Sequence, residues 1–157
     1  MDRFAAKSAI LNSRTLLTGR QVSAATRRLL DWPGSGNVDG AGFAMFALGG
    51  EINQVPPEAT AFVHRSDLFI FAAETCWTDY DPAGVAAANL AWLDEFYGDI
   101  FGATPPAHSY QNFPDPTLTD WRRAYYGANY DRLVRVKRRY DPAGFFRYPQ
   151  AIGSPRR

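Results

Sequence analysis

Hydrophobic and polar positions alternate along this chain with two different periods, and the switches between them mark its elements. Over 18–30, Val22, Ala25 and Leu29 fall on one helical face and Arg27 and Arg28 on another. Thr18 and Gln21 have capping-box spacing, so the pattern predicts a helix there. The next stretch, Trp32-Pro33-Gly34-Ser35-Gly36-Asn37-Val38-Asp39-Gly40, is a loop by composition. From 42 to 76 the pattern turns to sheet. Phe43, Met45 and Ala47 alternate with Ala44, Phe46 and Leu48, which predicts a strand covered on both faces. Gly49-Gly50 permits a turn or bulge. Glu51–Val55 and Thr60–His64 then read as two short strands on either side of Pro56-Pro57, and Leu68–Trp77 as the longest, after a turn at Ser66-Asp67.

Residues 82–101 carry the strongest helical pattern. Val85, Asn89, Trp92 and Phe96 form one stripe and Ala86, Leu90, Leu93 and Tyr97 its neighbour. Asp81 is the candidate cap, Pro82 takes the first helical position, and Gly102 ends the helix. A proline-rich passage over 104–116 leads to a short helix around Trp121 that runs to Gly127. A last helix covers about 130–139, with Asn129 as its cap and Leu133, Val136 and Tyr140 as its apolar stripe, stopped by Asp141-Pro142. One helix, four strands, a second helix and short helices are not a regular βαβ alternation. The order predicts an α+β fold, an antiparallel sheet covered by helices.

Composition narrows the function classes. The chain has 157 residues, a length that favours one domain and suffices for a real core. Its 17 basic and 16 acidic residues leave a net charge of +1, which argues against a strongly basic polyanion binder. Aromatic residues make up 15%, and that load calls for a thick core, a ligand pocket or a partner surface. The single cysteine, Cys76, closes no internal disulfide and builds no structural zinc site with two histidines alone. No apolar run reaches a membrane span, and the N-terminus lacks the h-region of a signal peptide, so a cytoplasmic protein without a membrane partner is expected.

Most candidate chemistry has a plain structural account. Gly34-Ser35-Gly36, with Gly40 and Gly42, follows a helix and leads into a strand, whereas a phosphate cradle needs amides converging at a helix N-terminus. Cys76 sits in an apolar strand, the setting of an inert thiol. His64 and His108 share no ligand spacing, and without a third ligand no metal site is expected. The last helix carries Arg132, Arg135, Lys137, Arg138 and Arg139, but Asp131 and Asp141 flank it. A solvated helix face with positive charge at its C-terminus is expected rather than nucleic-acid binding.

Tyr110 and Asn112 stand apart. Alternate residues of an extended segment point to one side, so the phenol and the amide are expected to face one pocket. A phenol, with an ordinary pKa of about 10, becomes a useful base only beside a positive charge or a hydrogen-bond donor. On chemistry alone, a half-buried tyrosine with a satisfied hydroxyl is the simpler account.

The segment Tyr110-Gln111-Asn112-Phe113-Pro114-Asp115 resembles the Tyr-x-Asn-Tyr-x-Asp segment of berberine bridge enzyme-like FAD-linked oxidases. Trp121, Tyr125-Tyr126-Gly127, Asn129–Val134, Val136-Lys137, Tyr140-Asp141-Pro142, Phe146 and Gln150-Ala151-Ile152 resemble that family's ending. Lys7-Ser8, Gly49–Ile52, Thr60–Arg65 and Trp77 resemble, in order, the interior of its substrate domain. Residues 71–73, Phe-Ala-Ala, depart from it where relatives often place a glutamine near the pocket.

The resemblance implies part of a substrate domain over 1–105 and the family's C-terminal segment over 106–157, with no region resembling the FAD-binding domain. It implies FAD as cofactor, Tyr110 as the base that deprotonates substrate, and Asn112 close to the flavin. The implied reaction is oxidation of an alcohol or an activated C–H, with dioxygen as acceptor. The expected partners are a small-molecule substrate and either a separate FAD-domain chain or a second copy, because uncovered apolar surface promotes self-association. The alternative is a truncated, non-catalytic module that binds a small molecule or serves in interaction.

Overall fold

A computed structural model describes residues 1–12, 14, 17–102 and 106–154. Residues 104 and 105, the start of the expected proline-rich passage and the expected domain boundary, lie outside the described residues. The elements are β1 (Asp2–Leu11), α1 (Gly19–Leu30), β2 (Ala41–Ala47), α2 (Glu51–Gln54), β3 (Phe69–Thr78), α3 (Val85–Phe101), α4 (Trp121–Tyr126), a 3₁₀ turn (Gly127–Asn129) and α5 (Tyr130–Tyr140). The three strands form an antiparallel sheet in the order β1-β3-β2, and helices join it in the expected α+β fold.

The register decides which side chains meet the helices. Ala9, Phe71 and Met45 stand opposite one another, as do Ser8, Ala72 and Ala44. Since side chains alternate across a sheet, Ala9, Leu11, Phe71 and Ala73 share one face. That face packs on Trp92, Leu93, Phe96 and Ile100 of α3 and Ala25 of α1. Trp92 and Phe96 stack with centroids 5.1 Å apart. Leu90, on the predicted second stripe of α3, points outward and is 45% exposed.

α1 carries the capping box read from its sequence: Thr18 Oγ1 accepts from Gln21 N, and the Gln21 side chain accepts from Thr18 N. Trp92 Nε1 donates to Arg28 O and Gln21 Nε2 to Ile100 O, which ties α1 to α3. The fully buried Asn89 is satisfied at both ends. Its oxygen accepts from Trp32 Nε1 at 2.7 Å and from Thr75 Oγ1, and its nitrogen donates to Gly34 O and Val85 O.

Three local expectations fail for identifiable reasons. Glu51–Val55 is not a strand: Ile52 N and Asn53 N bond to Gly49 O and Gly50 O, closing one helical turn as α2. Its five-residue alternation holds only two apolar positions, too few to claim a place in a sheet. Thr60–His64 is not a strand either. Arg65 N turns back to Val63 O, and Asn129 Nδ2 takes the carbonyls of Thr60 and Pro57 that a neighbouring strand would use. Asn129 is the N-cap residue of α5, as expected, but its side chain binds this distant loop and not the helix. Asp81 does not cap α3, whose N-cap is Gly84. It accepts instead from Thr78 N and from Gly36 N at 2.5 Å. A Cβ at Gly36 would lie 2.9 Å from Asp81 Oδ1, so this approach requires glycine. The largest omission is β1, a strand the alternation of Asp2–Leu11 did not suggest.

A second aromatic cluster, Trp121, Tyr125 and Tyr126, packs with Leu118, Tyr130, Leu133 and Ile152 near the C-terminus. Burial pushes the Tyr126 phenol up to about 12. No helix among the described residues is long and apolar enough to cross a membrane.

Phe71 is fully buried between strands and helices, so Phe71→Ala should lower unfolding free energy by about 3–5 kcal/mol in urea titrations. A loss under ~1 kcal/mol would contradict its place at the centre of the core. Asp141 bonds the Lys137 ammonium and the backbone N–H of Phe145 and Phe146, and these hold its carboxyl at about 2. Its contribution is present above the ordinary carboxylate range and is lost as pH falls through about 2. A carboxyl NMR titration should show that midpoint; one near 3.8 would refute the contact.

Candidate functional site

β1 has two edges. One pairs with β3, and the other gathers the segment that carries Tyr110. Ile10 N donates to His108 O at 2.9 Å. Ser8 Oγ accepts from Tyr110 N at 2.9 Å and lies 2.8 Å from Ser109 Oγ, with both serines buried. Downstream, Lys7 Nζ donates to Asp115 Oδ2 at 3.0 Å, and Gln150 Nε2 donates to Asp115 O at 2.6 Å. Tyr125 Oη accepts from Asp115 N. The segment is thus held at both ends. Burial alone would lower the Lys7 pKa, but hydrogen bonds to Asp94 and Asp115 outweigh it and raise it, so Lys7 stays charged.

The two residues singled out by sequence meet. Asn112 Nδ2 donates to Tyr110 Oη at 2.9 Å. The cause differs from the expected extended geometry: Phe113 N bonds Tyr110 O at 3.0 Å, so 110–113 is a tight turn that folds the amide onto the phenol. Tyr110 lines an open groove of about 520 Å³ with Phe46, Ile52, Phe62, Ile70 and Phe113, and with Arg65. Phe113 stacks on Phe46 at 6.0 Å, and Phe62 meets Tyr110 edge-on at 6.0 Å. The groove lies on the sheet face opposite α3, since Phe46 and Ile70 share a register position with Ile10. A larger, more polar cleft of about 670 Å³ lies between α4 and α5, away from Tyr110.

Sequence reasoning did not find the groove wall. Phe46 was visible only as a strand residue, Phe62 as part of a strand that does not form, and Arg65 only within the Thr60–Arg65 resemblance. Ser8 carried a signal through the Lys7-Ser8 resemblance alone. Cys76 is buried, and burial with nearby Glu74 pushes its thiol pKa up, the state of an unreactive cysteine. His64 and His108, judged unrelated by spacing, have ring centroids 5.2 Å apart, and Asp67 reaches both.

Residues 109–153 match the family model described as "Berberine and berberine like". The FAD-linked oxidoreductase YgaK of Bacillus subtilis is 37% identical over 111 residues, which cover 71% of this chain and 24% of that protein. Aclacinomycin-N/aclacinomycin-A oxidase of Streptomyces galilaeus is 33% identical over 129 residues, covering 71% and 23%. Among solved structures, GilR, an oxidoreductase that catalyses the terminal step of gilvocarcin biosynthesis, superimposes with a TM-score of 0.75 at 28% identity, over 98% of this chain and 33% of that one. The chain spans about a quarter of the length of the curated relatives it matches. It resembles the C-terminal part of berberine bridge enzyme-like FAD-linked oxidases.

The residues present fit one part of FAD. The groove is open, so a flat ring system can lie across it while the aromatic wall is left to an apolar substrate. Gln111, also on the groove, has a buried side-chain oxygen with no hydrogen-bond partner among the described residues, an acceptor for a ligand N–H. The described lining of the groove is mainly aromatic and aliphatic, with Arg65 its one charged residue, so it suits the ring of FAD rather than the dinucleotide as a whole.

Ser8→Ala removes the acceptor for Tyr110 N and strands the Ser109 hydroxyl. It should lower stability by about 1–3 kcal/mol and speed exchange of the Tyr110 amide, read by urea titration and hydrogen-exchange NMR. A change within ~0.5 kcal/mol with unaltered exchange would show that β1 does not hold the segment.

Proposed function

We propose that this chain is the C-terminal portion of an FAD-dependent oxidase that oxidises an alcohol or an activated C–H, with dioxygen as electron acceptor. In this reading 1–105 is part of the substrate domain and 106–157 the family's closing segment. The phosphate-binding part of the FAD site then comes from outside these residues, on the same polypeptide or on a separate chain. The observation that carries the proposal is the Asn112–Tyr110 hydrogen bond at the mouth of an aromatic groove.

Tyr110 is the base and Asn112 the residue nearest the flavin. With an amide donor aimed at it, the phenolic oxygen keeps a hydrogen bond when it carries negative charge, as a base must before it accepts a proton. The turn at 110–113 and the Ser8 contact fix the backbone, so the oxygen is presented in one place. Phe46, Phe62 and Phe113 bind an apolar substrate face and exclude water from it. Arg65 is held by Phe62 O and Ile52 O, which makes it a fixed positive charge beside the groove. Bound FAD supplies the hydride acceptor, and dioxygen becomes hydrogen peroxide, so an alcohol leaves as a carbonyl compound. The names of the aclacinomycin-N/aclacinomycin-A oxidase and of GilR, an oxidoreductase, support the oxidase reading.

The test is expression of the chain together with the FAD-binding region of a homologous oxidase, followed by flavin absorbance and a peroxide assay on ring-bearing alcohols. Tyr110→Phe should keep flavin absorbance and lower kcat by about 10²–10⁴-fold, the usual loss of a general base. An unchanged rate would remove the base role from Tyr110. Preparations that bind a ring-bearing alcohol but never flavin would favour a binding module. Alone, the chain should self-associate and bind a hydrophobic dye, because Phe4, Met45 and Phe46 of the sheet are exposed. A monodisperse monomer without dye binding would contradict that partnership.

A further inference from the structure

We propose that His64, Asp67 and His108 bind one divalent transition-metal cation of zinc's class, directly behind the segment that carries Tyr110. One ligand atom from each residue lies within 4.8 Å of the others. Asp67 Oδ2 is 3.6 Å from His64 Nδ1 and 3.7 Å from His108 Nδ1. Ligands about 2.0–2.1 Å from a tetrahedral cation stand about 3.3–3.4 Å from one another. The carboxylate is already within a few tenths of an ångström of that spacing to both rings. His108, whose side chain is 45% exposed, is free to rotate and close the rest.

His64 supplies the independent sign of a ligand. It is 2% exposed, and neither ring nitrogen has a hydrogen-bond partner among the described residues. Buried polar atoms are rarely left so, because each unmade hydrogen bond costs about 1–3 kcal/mol. An imidazole nitrogen with an unused lone pair, facing a carboxylate at more than hydrogen-bond distance, is what a cation between them resolves. Asp67 is also buried, at 4%; its carboxylate takes a hydrogen bond from the neutral Asn12 side chain, and Arg65 does not neutralise it, because that guanidinium bonds Phe62 O, Ile52 O and Thr60 Oγ1. Asn53 Nδ2 reaches the Asp67 carbonyl rather than its carboxylate.

Two imidazoles and one carboxylate suit zinc, cobalt or iron(II), whereas calcium and magnesium demand a set of oxygen ligands. Three protein ligands leave one position, which opens toward water on the His108 side. The ligands are also pre-placed. His108 O accepts from Ile10 N and Leu68 N donates to Leu11 O, so adjacent residues of β1 hold the backbone of one ligand and of the residue that follows another, Asp67. A cation here would lock residue 108 to the start of β3, two residues before Tyr110. Its role is that of a clamp on the segment, and it stands whether or not the chain works with FAD.

The test uses the 157-residue chain, dialysed against a chelator and titrated with Zn²⁺ and Co²⁺. One equivalent of Zn²⁺ by calorimetry and a four-coordinate Co²⁺ absorption band are expected. The chain holds only two histidines, so imidazole ¹⁵N NMR resolves both, and both should shift on Zn²⁺ addition without any substitution. His108→Ala, on the exposed side, should weaken Zn²⁺ binding by at least about 100-fold with its circular dichroism unchanged. Asp131→Asn, far from the cluster, should bind as the parent does. Absence of saturable binding, imidazole signals that stay put, or undiminished binding by His108→Ala would each overturn the site and leave a His–Asp–His contact in its place.

Discussion

The pairing of β1 with β3 is the constraint on which the rest of this structure depends. It runs unbroken from Asp2 against Thr78 to Leu11 against Phe69. That register puts Ala9 and Leu11 into the core beside Phe71, and turns Ser8 and Ile10 to the other face. A slip of one residue would exchange the two sets. Ser8 would then bring a hydroxyl under α3, and the N–H of Tyr110 would lose its acceptor. Core and candidate site are therefore set by one choice, made along ten residues of backbone.

Buried polar groups on the helix-covered side are used with similar economy. Asn89 meets a tryptophan, a threonine and two carbonyls, which fixes the glycine-containing loop after α1 against the sheet. Asp81 does the same for the loop's far end through Gly36 and Thr78. These contacts account for Gly36 among the loop's glycines: a Cβ there would stand 2.9 Å from the Asp81 carboxylate.

What was legible in the sequence were elements with enough periodic residues to decide their own conformation. α1, with its capping box, and α3, with Trp92 and Phe96 one turn apart, lie close to where their patterns place them. The first half of β3, Phe69–Ala73, is an unbroken apolar run, and β3 is the central strand with Ile70–Ala73 buried. β1 was illegible because Asp2-Arg3-Phe4-Ala5-Ala6-Lys7-Ser8-Ala9 mixes alanines, which suit any element, with charges that find distant partners, Arg3 on Asp79 and Lys7 on Asp94 and Asp115. Missing β1 hid everything it gathers. His108 and Asp67 are far apart in sequence and meet only through Ile10 and Leu11. Tyr110 and Asn112 stood out because they lie two residues apart and match the family's Tyr-x-Asn segment, but the extended geometry expected there gives way to a turn that brings them into contact. The Thr60–His64 stretch misled because its carbonyls are claimed by Asn129, a partner that no local pattern reveals.

The hydrogen bonds that hold Tyr110 come from its own turn and from β1, whereas the opposite wall of the groove comes from Phe46, Ile52 and Phe62. Shape and reactivity thus reside on different stretches of chain. Substitutions at 46, 52 or 62 can widen, narrow or re-polarise the opening while the phenol stays where its backbone holds it. A scaffold divided in this way can be passed from one substrate to another in evolution, or by a designer, with the reacting group left untouched.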